Sequence, residues 1–210
     1  MTTDATVLAA TRAERAALAD DLADLTDAQW ATPSLCGRWT VEDTVAHLTA
    51  AASVGPWRWV RSVLGARFDF DLHNDRRLAE HRGATPAETL ARFRAIIGST
   101  TSTWGPKQAW LGEVVVHGED VRRPLGLVRT PPVEVTTEVA RFVASRDFTV
   151  AGKTMSAGLR LVATDGPFTA GEGPEVTGPT LALVMAMAGR AAHLDALDGP
   201  GVATLRERLA

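Results

Sequence analysis

Residues 110–123 read WLGEVVVHGEDVRR, and the reading of the whole chain turns on how that stretch coils. At ~100° per residue, Val114 and Val121 fall close to Trp110 and mark the inward face of a helix. Glu113, His117 and Asp120 fall on the same side or its flank. Two carboxylates and an imidazole on a buried stripe are costly unless something compensates them. Glu113 and His117 are four residues apart, so their side chains stack one turn apart on one face. That spacing lets both reach one ion. Pro124 and Gly126 close the helix, and Arg122 and Arg123 suit the negative end of its dipole.

The complement lies upstream. Thr40, with Asp43 three residues on, resembles a capping box with a shortened acid. The helix that starts there has an apolar stripe of Val41, Thr44, Val45, Leu48 and Ala52, and His47 sits beside it. In a helical bundle such inward polar residues meet in the core, where metal sites are commonly built. His47, Glu113 and His117 would supply three protein ligands and leave a fourth position open, the pattern of a catalytic zinc site. Asp120 would then hold His117 from behind. A plainer reading stays open. His117 pairs with Glu113 or Asp120 in an internal salt bridge, and His47 is a satisfied core residue.

Around these two helices the pattern divides the chain. Residues 6–25 form a first amphipathic helix, with Leu8, Leu18, Leu22 and Leu25 at helical spacings. Pro33 and Gly37 mark a loop. Gly55-Pro56 interrupts the second helix, which residues 57–64 can continue. Residues 68–83 are polar and mixed, without a clear period. Thr85-Pro86 reads as an N-cap and first-turn proline for a helix through Leu90, Phe93, Ile96 and Ile97. Thr130-Pro131-Pro132 is a linker, and a helix over 133–146 follows. Beyond Gly152 the period changes to two. Residues 159–164 form a half-buried strand, Asp165-Gly166 a hairpin-type turn, 168–170 the returning strand and 175–177 a short strand. Residues 179–188 read as a mostly buried helix and 201–209 as a last one. The expected fold is α+β, with an all-helical part over 1–130 and a small mixed part over 131–210.

Composition removes several classes of function. The chain has 210 residues, 45% apolar, enough to bury a real core. Lys and Arg number 22 against 25 Asp and Glu, a formal net charge of -3 with no basic run, so neither nucleic acid nor an anionic membrane surface is an expected partner. A single cysteine, Cys36, rules out an intramolecular disulfide and suits a reducing compartment. The opening MTTDATVLAATRAER lacks an apolar stretch of signal length. The longest nearly apolar run, 181–189, is too short to span a bilayer at ~20 residues. A cytoplasmic location is the expectation.

Other candidates are weaker. Cys36 precedes a helix N-terminus, where a thiol can become more acidic, but a lone cysteine is more often packing. His73, His81 and His193 read as solvated. The tryptophans read as core and rim rather than a ligand cage. Arg190 follows the apolar helix and its Gly189 stop, so it is either a helix-end cap or an anion clamp.

Three stretches carry a resemblance. The first is 21–50, with Leu25-Thr26, Trp30, Cys36-Gly37, Trp39-Thr40-Val41 and Ala46-His47-Leu48. The second is EVVVHGEDVR, residues 113–122, an E-x-x-x-H-x-x-D-x-R pattern. The third is GLRLVATDGPFTAGEGPEVTGPTLALVMAMAGR with the later LDGPGVATLRERL. Together they resemble the DinB-like, mycothiol-dependent maleylpyruvate isomerase family. The resemblance implies a DinB-like four-helix bundle with a small C-terminal α/β domain, and a divalent metal held by His47, Glu113 and His117. Zinc is the first choice, with nickel and iron also suited. It further implies mycothiol as thiol cosubstrate, a small electrophilic and acidic substrate, and isomerisation or S-transfer as the reaction. A non-catalytic metal-binding protein of the same fold is the alternative. The family also uses an arginine near the chain end, for which Arg190 is the positional candidate.

Overall fold

A computed structural model of the chain describes residues 3–67, 69–101 and 105–210. They form two compact units. One comprises Leu8–Pro106 with His117–Val128, and the other Met1–Val7, Lys107–Val116 and Arg129–Ala210.

In the helical unit, α1 (Asp4–Asp21), which belongs to it from Leu8 on, is followed by a short α2 (Asp27–Trp30) and then α3 (Val41–Ala51). The first helix therefore stops before Leu25. Thr26 and Gln29 close a capping box that starts a new turn, which the leucine spacing alone did not show. Thr40 caps α3 as its sequence predicts, with Asp43 returning the bond to the Thr40 backbone. Gly55 breaks the chain and Pro56 opens α4 (Pro56–Gly65). The polar stretch without a period is α5 (Phe70–His81), begun by Asp69, whose Oδ1 accepts from the Leu72 N–H at 2.9 Å. Phe68, where that reading began, lies outside the described residues. Periodicity missed α5 because its buried positions include His73, a polar residue. Thr85 and Pro86 start α6 (Pro86–Ala95) as expected.

Helix α7 spans Lys107–Arg122 and runs unbroken across the boundary between the units. Leu127 N–H bonds back to the Arg122 carbonyl at 3.0 Å, and Gly126, at φ 68°, supplies the left-handed residue that such an end requires. The core of the helical unit joins Leu18 of α1, Leu22 just past its end, Val45 and Leu48 of α3, Phe93 of α6 and Val121 of α7. Arg122 does more than complement a dipole. It is buried, and its Nε donates to Asp21 Oδ2 at 2.6 Å, bracing α7 against the end of α1. Glu42, on α3, accepts from Arg82 at 2.6 Å and from Thr89 of α6 at 2.8 Å, which fixes α3 in the same unit.

In the other unit, the first part of α7 meets α8 (Val133–Ser145), with Gln108 Nε2 donating to Glu138 Oε1 at 3.1 Å. A short α9 (Gly152–Met155) leads to a three-stranded sheet of β1 (Arg160–Ala163), β2 (Thr169–Ala170) and β3 (Glu175–Gly178), in the order β2-β1-β3. The β1–β2 pair is antiparallel, as the hairpin reading requires, and β3 runs parallel to β1 on its other side. The chain crosses between these edges through the loop at 171–174. A Cβ on Gly173 would stand 2.2 Å from the Gly158 carbonyl oxygen, so only glycine lets the loop pass so close to the start of β1.

Helix α10 (Thr180–Met187) is apolar all round and covers the sheet and α8. Asp165, read as a turn residue, also caps it, accepting from the Thr180 N–H at 2.8 Å. A 3-10 turn at Ala191–Ala196 and a last helix α11 (Val202–Arg208) complete the unit. Among the described residues, no helix is long and apolar enough to cross a membrane.

Candidate metal centre

The centre is assembled from the loop at 33–40, from α3 and from α7. The loop is a closed structure. Pro33 and Thr40 pair as an isolated bridge, and Ser34 Oγ donates to the Trp39 carbonyl at 2.9 Å. Thr44, one turn into α3, donates to Ser34 Oγ at 2.9 Å, and the Leu35 N–H bonds to the Asp120 carbonyl at 3.0 Å. These bonds tie the loop to both helices. Trp39 is thereby set against His47, with ring centroids 4.7 Å apart, and 6.4 Å from the ring of His117.

His47 and His117 meet edge to face, with centroids 5.0 Å apart. Glu113 stands one turn before His117 on the same helix. One donor atom from each of His47, Glu113 and His117 lies within 4.8 Å of the other two, and all three side chains are half-buried. The three residues selected from sequence are thus brought together. Asp120, fully buried, holds His117 through Oδ2 at 2.9 Å from Nδ1. That bond fixes the tautomer with its proton on Nδ1 and leaves Nε2 as the ring atom for a ligand bond, the usual arrangement behind a metal-bound histidine. Glu119, beside it, has its carboxyl pushed above the usual carboxylate range by burial, against the opposing pull of Arg122 and Arg123.

Two histidine readings need correction. His73 and His193 are buried, at 4% and 3% exposure, rather than solvated. His73 Nδ1 lies 2.8 Å from Ser62 Oγ, within hydrogen-bond reach. Burial lowers its pKa, with smaller contributions from Arg77 and His47. Their polar neighbours in sequence hid this, because α5 turns His73 inward while Arg76, three residues on, stays exposed.

Trp39 was recognised only as a family feature and not as a wall of the centre. Its place directly before the Thr40 cap is the signal that could have found it. Arg190 N–H bonds to the Met185 carbonyl at 2.9 Å, and its Nη1 donates to the Ala188 carbonyl, so the guanidinium does sit at the end of α10.

Residues 11–137, more than half the chain, match the family described as the mycothiol maleylpyruvate isomerase N-terminal domain. Among solved structures, the mycothiol-dependent maleylpyruvate isomerase is similar at 16% identity with a TM-score of 0.63, over 95% of this chain and 93% of that one. A histidine-to-alanine mutant of that isomerase matches at 15% identity and a TM-score of 0.62, with the same coverage. At such identity the likeness speaks for the fold, a DinB-like helical part with a small C-terminal α/β part, as the sequence implied. No curated protein matches the sequence. The family match, spanning the loop, α3 and all of α7, makes this chain a member of the mycothiol maleylpyruvate isomerase family.

Proposed function

We propose that the chain is a metal-dependent enzyme that uses mycothiol, a low-molecular-weight thiol, on a small acidic electrophile, by isomerisation or by S-transfer. The observation that carries this reading is the convergence of His47, Glu113 and His117 within 4.8 Å. Two imidazoles and one carboxylate fit a divalent ion with an open position. The Asp120 bond to His117 Nδ1 is an independent sign of fit, since it presents the other ring nitrogen. A bound divalent ion would supply a Lewis acid that keeps a cosubstrate thiol deprotonated near neutral pH.

The chain's own residues do the rest. Asp120 keeps His117 in one tautomer and one orientation. The Trp39 ring packs against His47, 4.7 Å between centroids, and stands 6.4 Å from the ring of His117. Arg190, fixed by its bond to the Ala188 carbonyl, is assigned the neutralisation of a substrate carboxylate. In isomerisation, the cosubstrate sulfur adds to an activated double bond, rotation follows about the resulting single bond, and the sulfur leaves. In S-transfer, the sulfur stays and another group departs. Cys36 is not needed for either. Zinc is the ion this reading favours, with nickel and iron also chemically suited, and the cytoplasm is the compartment it assumes.

Metal content of protein purified without an affinity tag, together with a mycothiol titration, tests the reading. Stoichiometric metal and saturable mycothiol binding are expected. His117→Ala should lose both the metal and all thiol-dependent turnover. Full turnover in metal-free His117→Ala would reject the mechanism. Stoichiometric metal without any thiol-dependent reaction would favour a non-catalytic metal-binding protein.

A further inference from the structure

The geometry points to a second metal-binding constellation, formed by Cys36, His117 and Asp120, for a thiophilic divalent cation of the zinc, cadmium or cobalt class. Each of these residues offers one donor atom, and the three atoms lie within 4.8 Å of one another. All three residues belong to the helical unit. The inference does not depend on the thiol chemistry proposed above, and it uses a different donor set.

The constellation is braced at its backbone. Leu35 N–H bonds to the carbonyl of Asp120 itself at 3.0 Å, so the residue before Cys36 is tied to a residue of the donor set. Cys36 N–H donates to Ser34 Oγ at 3.1 Å, and Ser34 is held in turn by Thr44. Gly37, at φ 63°, makes the turn that returns the chain to Trp39. The position of the thiol is therefore set by the fold rather than by its own rotamer alone.

Thiolate, imidazole and carboxylate together make a mixed S/N/O set of the kind zinc and its congeners accept. His117 Nδ1 and Asp120 Oδ2 are 2.9 Å apart. Two donors on one tetrahedral ion, each at ~2.0–2.1 Å from it, stand roughly 3.3 Å apart. The pair needs to open only by a few tenths of an ångström to admit an ion in place of the shared proton. On binding, the Cys36 thiol proton passes to solvent, the His117 ring proton moves from Nδ1 to Nε2 through solvent so that the imidazole stays neutral, and no oxidation state changes.

His117 is common to both donor sets, through Nδ1 here and through Nε2 toward His47 and Glu113. Filling the second set removes the Asp120 hydrogen bond that orients His117 for the first.

Titration of the metal-stripped, reduced, full-length protein with Co2+ alone tests the proposal. A thiolate-to-cobalt charge-transfer band in the near ultraviolet is expected in the wild type. It should persist in His47→Ala and in Glu113→Gln, and vanish in both Cys36→Ser and Cys36→Ala, with helix content unchanged by circular dichroism. No such band in the wild type at saturating Co2+ would overturn the proposal. So would its loss from folded His47→Ala and Glu113→Gln, because Cys36 would then serve the same ion as His47. The visible d–d absorption retained in Cys36→Ser reads the first donor set separately. Its absence would count against the function proposed above and leave the charge-transfer result standing.

Discussion

Helices α7 and α10 are both buried, and they are buried for opposite reasons. Helix α10 shows no ionisable side chain, and Leu183, Val184, Met185 and Met187 are all within 2% of full burial. Its contribution is the removal of apolar surface from water, which is non-directional and needs no partner. Helix α7 turns His117, Asp120 and Arg122 inward, each compensated by a specific bond: Asp120 for His117, Asp21 for Arg122. A polar group buried with its partner contributes little net stability, and one that loses its partner is expensive. The α/β unit thus spends burial on stability, whereas the helical unit holds polar groups in fixed positions through specific bonds.

This contrast can be broken at either helix. Leu183→Ala should destabilise the protein by about 2–5 kcal/mol, read by chemical denaturation, without changing metal content per folded chain. A matching loss of metal stoichiometry in the folded fraction would end the separation drawn between the two helices. Asp120→Asn should act the other way, lowering metal affinity by roughly 10–100-fold in a competition titration. An unchanged affinity would mean that His117 is oriented by packing rather than by its buried partner.

Two smaller effects sharpen the account of how α3 and α5 present the centre. Thr40→Ala removes the bond to the Asp43 N–H and should cost about 1 kcal/mol of stability. Metal affinity should fall in the same variant, since the cap sits between Trp39 and His47. His73 gives a pH signature. Its folded pKa lies below its unfolded value, so as pH falls below the ordinary imidazole range the unfolded chain takes up a proton that the folded chain refuses. Stability should therefore drop with acid across that window, and His73→Gln should flatten the slope of melting temperature against pH. A slope identical in both proteins would place the titration elsewhere.

Much of the centre was legible before any coordinates. The E-x-x-x-H spacing on α7 fixes the relative placement of Glu113 and His117, because one turn of helix leaves no other arrangement. The Thr40–Asp43 cap fixes where α3 begins and hence the face on which His47 lies. The packing of Trp39 against both histidines was not legible, since it depends on a loop closed by Ser34, Thr44 and the Asp120 carbonyl. Nor was α5, whose inward positions include an imidazole and so break the apolar rhythm that periodicity needs.

Sequence alone determined which segments coil, where Thr40, Thr85 and Pro86 start them, and which polar residues of α7 share a face. These follow from interactions within one or two turns, which a local pattern encodes in full. Only the tertiary structure decided that Cys36 meets Asp120, that Arg122 answers Asp21 and that His73 is buried. Each of those depends on how separate elements are registered against one another. Register is set by the sum of many side-chain contacts along the interface, and no single stretch of the chain carries it.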